Sequence, residues 1–556
     1  MIGFRGKTTA PQPWPRRREA PVYASNGIVA AAHPLTVSAG LAVLQNGGNA
    51  VDAAIAAAAV AAVVMPEMCG LGGDIFAIVH EPATGTRKAR TKSFLGSGIS
   101  PKSATIEQMR AAGTDGGTKM QHQGPLSIGV PGMVDGYFSM LRAFGTKSFG
   151  ELAEYAINHA ENGFPLTKDG ALSIKLTAPL MSQYPSSTGV FLANGADPSE
   201  GTLLRQPDLA RTLRRIAAEG PDVFYRGEIA AKIAAAVQEL GGAIGVDDLA
   251  GHETTITAPI ETKYRGNTVY QTGIPSQGLI LLEALNIVEA LGDLPVGAPG
   301  IHRLIEAKKL AYADRLGYAI DPVHGVTPME TLLCADWAKK RAAAIDPKKA
   351  AEDVIAAEMQ DGDTTYLCVV DGDGMMVSLI QSVSSAFGSG IVAGDTGVVM
   401  NNRVGRGFSL IDGHPNIFAP GKKTMHTLNC FMIADEQGRM VVTGGTPGGD
   451  GQPQWNLQMI TGMIDFGWDV QATIEAPRWS SWPGTDPISL PNPYELRVES
   501  RLPEVEIAAL RNLGHRIVMQ DAWDGGGTAQ LIARDPETGV LAGGSDPRAE
   551  GFAVGI

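Results

Sequence analysis

Residues 362–383 read GDTTYLCVVDGDGMMVSLIQSV. Val, Leu, Ile, Tyr and Thr fill both arms, and Asp371-Gly372-Asp373-Gly374 supplies the turn, so the stretch is expected to form a β-hairpin. Its front edge carries Thr364 and Thr365, and β-propensity alone accounts for a threonine pair there. The same pair allows a second reading. A threonine hydroxyl is too weak an acid to attack an amide unaided, but the α-amino group of a chain that begins at that threonine lies in reach of it. With a reference pKa of roughly 7.7–8.0, that amine can act as the base. One residue then supplies both nucleophile and base, provided the chain is cut in front of it. Asp363-Thr364 is the bond to cut.

Working outward, the 556 residues are 44% hydrophobic and 19% charged, an ordinary globular balance for two to four domains or one large α/β unit. The net charge of −13 is spread along the chain, which disfavours nucleic acid and anionic membrane as partners. The four cysteines, Cys69, Cys334, Cys368 and Cys430, lie far apart and suggest neither a disulfide framework nor a zinc site. Residues 1–25 are rich in Pro and Arg and lack the apolar core of a secretory signal, so the cytoplasm is the expected location. The longest apolar run, AAIAAAAVAAVVM at 53–65, falls short of the ~20 residues that span a bilayer, and its alanines suit a tightly packed internal helix. It leads into a glycine turn and a strand at 75–80.

The middle of the chain is expected to be helical. Leu209, Leu213 and Ile216 share one face between Pro207 and Gly220, and Ile229, Ile233, Val237 and Leu240 repeat the pattern. A further helix, HRLIEAKKLAYADRLGYA, carries mixed charge on one side, and all three read as scaffold. From 364 onward, strands alternate with glycine-rich turns such as GGTPGGDGQPQW at 444–455. Serine-elbow and His-Glu-x-x-His signatures are missing. The DGDG turn lacks the later ligands of a calcium loop, and no glycine loop ends in Gly-Lys-Ser/Thr, so neither metal nor cofactor is expected.

The hairpin does not stand alone. NGIVAAAHPLTVSAGLAVLQNGGNAVDAAIAAAAVAAVVMPEMCGLGGDIFAIVH, SIGVPGMVDGY, AENGFPL, FYRGEIA, IPSQGLILLEALNI, EAKKLAYADRLGYAIDP, FGSGIVAGDTGVVMNNR, VVTGGTPGGDGQPQ and SDPRAEG follow in an order that resembles the γ-glutamyltransferase family of N-terminal-nucleophile hydrolases. The likeness runs from about residue 27 to the C-terminus. It implies an α+β fold, a four-layer αββα sandwich. It also implies a precursor that cuts itself into a large chain ending at Asp363 and a small chain of 364–556, interwoven as a heterodimer behind an extension of residues 1–26. Pairing of such heterodimers is left open.

Carried over residue by residue, the nucleophile falls on Thr364, the hydroxyl that polarises it on Ser382, and the oxyanion amides on Gly448 and Gly449. Departures concern the substrate. The family's acyl group carries an α-carboxylate and an α-ammonium, met by an Arg and an Asp. Here Leu95 or Ile99 stands nearest the Arg position and Gly407 at the Asp position. His426-Thr427 replaces a serine pair, Arg403 replaces a Gln, Ser384 an Asn and Tyr366 a His. Arg403 and His426 could hold a carboxylate while nothing holds an amine, which suits a dicarboxylic monoamide such as a glutaryl amide. The same two side chains fit structural hydrogen bonds equally well. Three readings follow: an acylase-like amidohydrolase for an acidic acyl group, a true γ-glutamyltransferase or glutathione hydrolase with anchors rebuilt from Arg403 and His426, with or without Arg406, and an uncleaved binding protein.

Overall fold

The computed structural model describes residues 2–3, 14–352, 363–482 and 495–556, with backbone alone at Asp363. Asp363–Asp371 and Met376–Ser384 form the expected hairpin. Asp371 closes its turn: the carboxylate accepts the Met375 N–H at 2.9 Å, and its other oxygen accepts the Ala50 N–H at 2.9 Å. Both oxygens serve the backbone, so the turn has a structural explanation.

The hairpin lies inside a seven-stranded antiparallel sheet, in the order Phe552–Gly555, Gly27–Ala31, Asp363–Asp371, Met376–Ser384, Asp74–Glu81, Arg90–Gly96, Thr255–Thr257. A second antiparallel sheet of seven strands runs Val22–Ala24, Leu541–Ser545, Gln530–Arg534, Met440–Gly445, Phe431–Ala434, Asn267–Gln271, Ile260–Tyr264. Strand alternation explains the layering. Tyr366, Cys368, Val370, Met376 and Ile380 point from the first sheet onto Met432, Ala434, Met440, Ile532 and Leu541 of the second. Leu367, Val369, Val377 and Leu379 point the other way, into a cluster with the alanine-rich helix. On the far side, Phe431, Ile433, Val442 and Leu531 pack against the helices Gly278–Ala290, Ala298–Tyr318 and Gly451–Ile464. The result is the expected αββα sandwich, and each sheet combines strands from both sides of residue 364. Val22–Ala24, within the segment read as an extension, forms an edge strand.

The alanine-rich helix runs Ala50–Val64 and is buried on every side. It starts earlier than the apolar run because Asn49 and Asp52 form a capping box, and it stops before Pro66. Alanine suits this place because sheet and neighbouring helices approach from all sides, leaving no room for larger residues. The glycine turn after it owes its composition to close approach. A Cβ on Gly73 would lie 2.3 Å from the Ser382 carbonyl oxygen, and one on Gly72 2.2 Å from that of Val399. Neither has a left-handed backbone; the expected turn is closed by the Gly73 N–H on Gly70 O at 2.8 Å, and close approach of neighbouring backbone adds a second reason for glycine.

The helix Ala298–Tyr318 departs from expectation. Glu306, Lys308, Lys309, Asp314 and Arg315 are all buried, so its charged side faces the protein rather than solvent. Among the described residues no helix is long and apolar enough to cross a membrane.

Candidate active site

Thr364 opens the strand at a register irregularity: Asp363 pairs with Ser384, whereas Thr365 pairs with Gln381. A bulge there bends the strand end and re-aims the side chain. Thr364 shares its face with Tyr366 and Cys368, and Ser382 shares its face with Ile380, so both hydroxyls project between the sheets. The two oxygens lie 3.2 Å apart, hydrogen-bonded and buried. Ser382 Oγ also accepts the Ser384 N–H at 2.7 Å, which fixes its rotamer. Ser384 adopts a φ of +90°, a conformation an L-residue rarely takes.

Opposite stands the loop after Met440–Gly445. Gly448 has a φ of +122° and Gly449 of +50°. Each peptide here is tied back through its carbonyl: Thr446 Oγ1 donates to Pro447 O at 3.0 Å, and the Gly451 N–H donates to Gly448 O at 2.7 Å. In a trans peptide, a carbonyl held on one side leaves the N–H facing the other. No backbone carbonyl among the described residues accepts either glycine N–H. The loop therefore presents two donors, the arrangement that stabilises an oxyanion. Trp455 backs it, its indole Nε1 held by Ser480 Oγ at 3.0 Å.

Thr364, Pro447, Gly448 and Trp455 line one cavity of about 340 Å³, whose other walls include Glu67, Asp169, Trp482, Arg497 and Glu550. Of the residues expected to bind substrate, Arg403, His426, Thr427 and Ser384 lie outside this lining. Arg403 Nε donates to Asp74 Oδ2 at 3.0 Å, and His426 Nε2 lies 3.0 Å from the same oxygen. Burial, aided by the Arg403 charge, pushes the His426 imidazole down to about 4, so it is neutral at pH 7. Burial alone would raise the Asp74 carboxyl, but the His426 hydrogen bond and the Arg403 charge outweigh it and hold it low. Thr427 offers its carbonyl to Gln277 Nε2 at 2.6 Å. The geometry of Arg403 and His426 thus matches the structural-hydrogen-bond alternative, because Asp74 already takes both donors.

A gamma-glutamyltranspeptidase family model matches residues 36–556. The chain belongs to that family. It is 37% identical over 543 residues to a glutathione hydrolase-like proenzyme of Bacillus subtilis, covering 96% of this chain and 99% of that one. It is 35% identical over 542 residues to an oxamate amidohydrolase proenzyme of Klebsiella pneumoniae, covering 96% and 98%. A cephalosporin acylase structure from Bacillus halodurans superposes with a TM-score of 0.89 at 34% identity, covering 99% of each chain. The protein is accordingly an enzyme of the N-terminal-nucleophile amidohydrolase and acyltransferase type, and the binding-protein reading is set aside.

Within this family frame, the altered positions acquire physical reasons. A Cβ on Gly407 would lie 2.1 Å from Thr424 Oγ1, so an aspartate does not fit this backbone. Leu95 packs between the sheets and Ile99 against the helical core. Tyr366 Oη bonds Ser378 Oγ at 2.6 Å across the hairpin.

Sequence reasoning missed the support of the glycine loop. Gln277 Nε2 donates to Gly449 O at 2.7 Å as well as to Thr427 O, tying two loops together. Arg315 holds Gln277 Oε1 at 2.8 Å and Asp450 Oδ1 at 2.7 Å. Tyr312 Oη donates to the Asp450 carbonyl. The mixed-charge helix was the available signal, because Tyr312 and Arg315 belong to it. Of possible metal ligands among the described residues, His302, Glu306 and His515 cluster, but His302 Nδ1 lies 2.9 Å from His515 Nε2 and Lys309 pairs with Glu306 at 2.7 Å. Those groups already serve one another.

Proposed function

We propose that the chain cuts itself between Asp363 and Thr364 and then hydrolyses amides of an acidic acyl group through Thr364. The observation that carries this reading is the Thr364–Ser382 hydroxyl pair, 3.2 Å apart, with Thr364 lining the same cavity as Gly448. In the mature small chain, the α-amino group of Thr364 takes the hydroxyl proton as Oγ1 attacks the substrate carbonyl. The Ser382 hydroxyl supports the attacking oxygen, and the Gly448 and Gly449 N–H groups receive the oxyanion. Collapse breaks the C–N bond, and the α-ammonium returns its proton to the departing amine. Water, deprotonated by the same amine, then attacks the ester, and Thr364 regains its proton as the acid leaves. An acceptor amine in place of water yields a new amide. Because each sheet is built from strands of both, fragments 1–363 and 364–556 stay together as a heterodimer.

The acidic acyl class is supported by what the site lacks. With no side chain at Gly407 and apolar residues at Leu95 and Ile99, neither charged anchor of a γ-glutamyl group is in place. Faster turnover of glutaryl-p-nitroanilide than of γ-glutamyl-p-nitroanilide is expected, and the opposite preference rejects the assignment. A second reading, transfer of γ-glutamyl groups, is favoured by the glutathione hydrolase-like relative. Release of γ-glutamyl groups stimulated by glycylglycine would establish it.

A further inference from the structure

Trp455, the indole that backs the oxyanion loop, also lines a second cavity of about 290 Å³ that the chemistry above leaves unused. The strand Trp479–Trp482 lies between the two spaces, and its residues alternate: Ser480 and Trp482 line the catalytic cavity, Trp479 the second one. The partition is firm. Ser480 Oγ holds the Trp455 Nε1 at 3.0 Å, and Cβ positions on Gly451, Gly526 and Gly527 fall within 3 Å of the ring.

Helical spacing makes the second cavity apolar. Ile301 and Leu304 project into it from Ala298–Tyr318, and Trp455 and Met459, one turn apart, from Gly451–Ile464. Trp14, Phe466 and Trp468 add an aromatic shelf, with ring centroids 5.1 Å apart for Trp14 and Trp468 and 5.1 Å for Phe466 and Trp468. Val296 and Val505 line it too and are largely exposed, which marks its mouth. Most of its polar side chains are committed elsewhere. Arg478 pairs with Asp546 at 2.8 Å, and Glu506 accepts the Ala298 N–H at 2.5 Å. Gln458 donates to the Trp479 carbonyl at 2.9 Å, and Thr461 to the Leu457 carbonyl at 2.8 Å. Two polar atoms are left over: Thr473 Oγ1 and Trp14 Nε1 have no hydrogen-bond partner among the described residues, and Thr473 is 4% exposed.

We propose that this cavity binds a neutral fused-ring aromatic molecule carrying a single polar oxygen. With both charged side chains of its wall already paired, an ionic ligand would bury a charge without a partner, which is costly. An apolar cavity of about 150 Å³ takes up benzene, so about 290 Å³ has room for a bicyclic ring. Such a ring packs against the aromatic shelf, and its oxygen accepts from the Trp14 N–H or bonds the Thr473 hydroxyl. The site goes beyond the amide chemistry above and does not depend on which acyl group that chemistry takes.

The test titrates the full chain, cut or uncut, with β-naphthol in a calorimeter. One molecule per chain is expected, with a Kd below about 1 mM, and β-naphthoate, its anionic counterpart, should bind at least about tenfold more weakly. Trp14→Ala should weaken binding about tenfold and Thr473→Val about fivefold. Val505→Trp fills the mouth from an exposed position and should abolish binding. Saturating β-naphthol should leave KM unchanged for whichever p-nitroanilide the enzyme turns over. Absence of binding, or equal affinity for β-naphthoate, overturns the proposal. Binding that survives Val505→Trp, or a KM that rises with β-naphthol, puts the ligand outside this cavity and overturns it as well.

Discussion

Replacing Gly448 by alanine probes the oxyanion loop with a magnitude the structure supplies. The new Cβ would lie 2.1 Å from Trp455 Cζ3 and 2.8 Å from Cη2. Carbon atoms rest at about 3.5 Å or more, so the first contact is short by about 1.4 Å. The indole has little freedom to retreat, since Cβ positions on Gly451, Gly526 and Gly527 already fall within 3 Å of it. The loop must yield instead, and a φ of +122° adds a further cost of about 1–2 kcal/mol for alanine. A shift near 1 Å takes at least one N–H out of hydrogen-bonding range of the oxyanion, a loss of roughly 3–4 kcal/mol. Gly448→Ala should therefore lower kcat about 10²–10³-fold on glutaryl-p-nitroanilide, with near-ultraviolet circular dichroism confirming the fold. Processed Gly448→Ala protein that keeps more than a tenth of wild-type kcat would refute the assignment of these amides.

Gln277→Ala removes the link between the Gly449 and Thr427 carbonyls and the Arg315 guanidinium; kcat should fall about tenfold with KM little changed, and steady-state kinetics showing a change in KM alone would contradict a positioning role. Burial pushes His33, His80, His122, His252 and His426 down to about 4, so between pH 6.5 and 4 the unfolded chain binds protons that the native state does not. Stability then falls on acidification by about 1.4 kcal/mol per pH unit for each such histidine, and urea midpoints from pH 7 to 4.5 should decline steeply; a flat profile contradicts neutral burial. Ala57→Leu forces a larger side chain into a helix with no exposed surface and should cost about 1–3 kcal/mol, read as a lower melting temperature.

The hairpin and the helices with a clear apolar face were legible because period-two and period-3.6 patterns report directly on burial. The alanine-rich helix was legible for a different reason, since only small side chains fill a place enclosed on all sides. The helix Gly451–Ile464 was not anticipated, because Gly451, Pro453 and three amides in its first two turns disguise it. Thr364, Ser382 and the paired glycines stood out through resemblance; in the structure the Thr364 and Ser382 hydroxyls lie 3.2 Å apart and Gly448 lines the same cavity as Thr364. Arg403 and His426 illustrate what sequence hides: their partner, Asp74, lies some 330 positions away for Arg403 and 352 for His426, on the strand paired with Ser382. A charge in a sequence reads as available until its counter-charge is located in space. Gln277 and Arg315 were hidden likewise, since their role depends on loops far from either residue.

The account turns on a chain that generates its own catalytic amine. Intact mass spectrometry of aged wild-type protein beside Thr364→Ala tests this most directly. Two fragments that meet at Asp363-Thr364 are predicted for the wild type, and one unbroken chain for the variant. Breakage at another bond, or an uncut wild type that still turns over substrate, would contradict it.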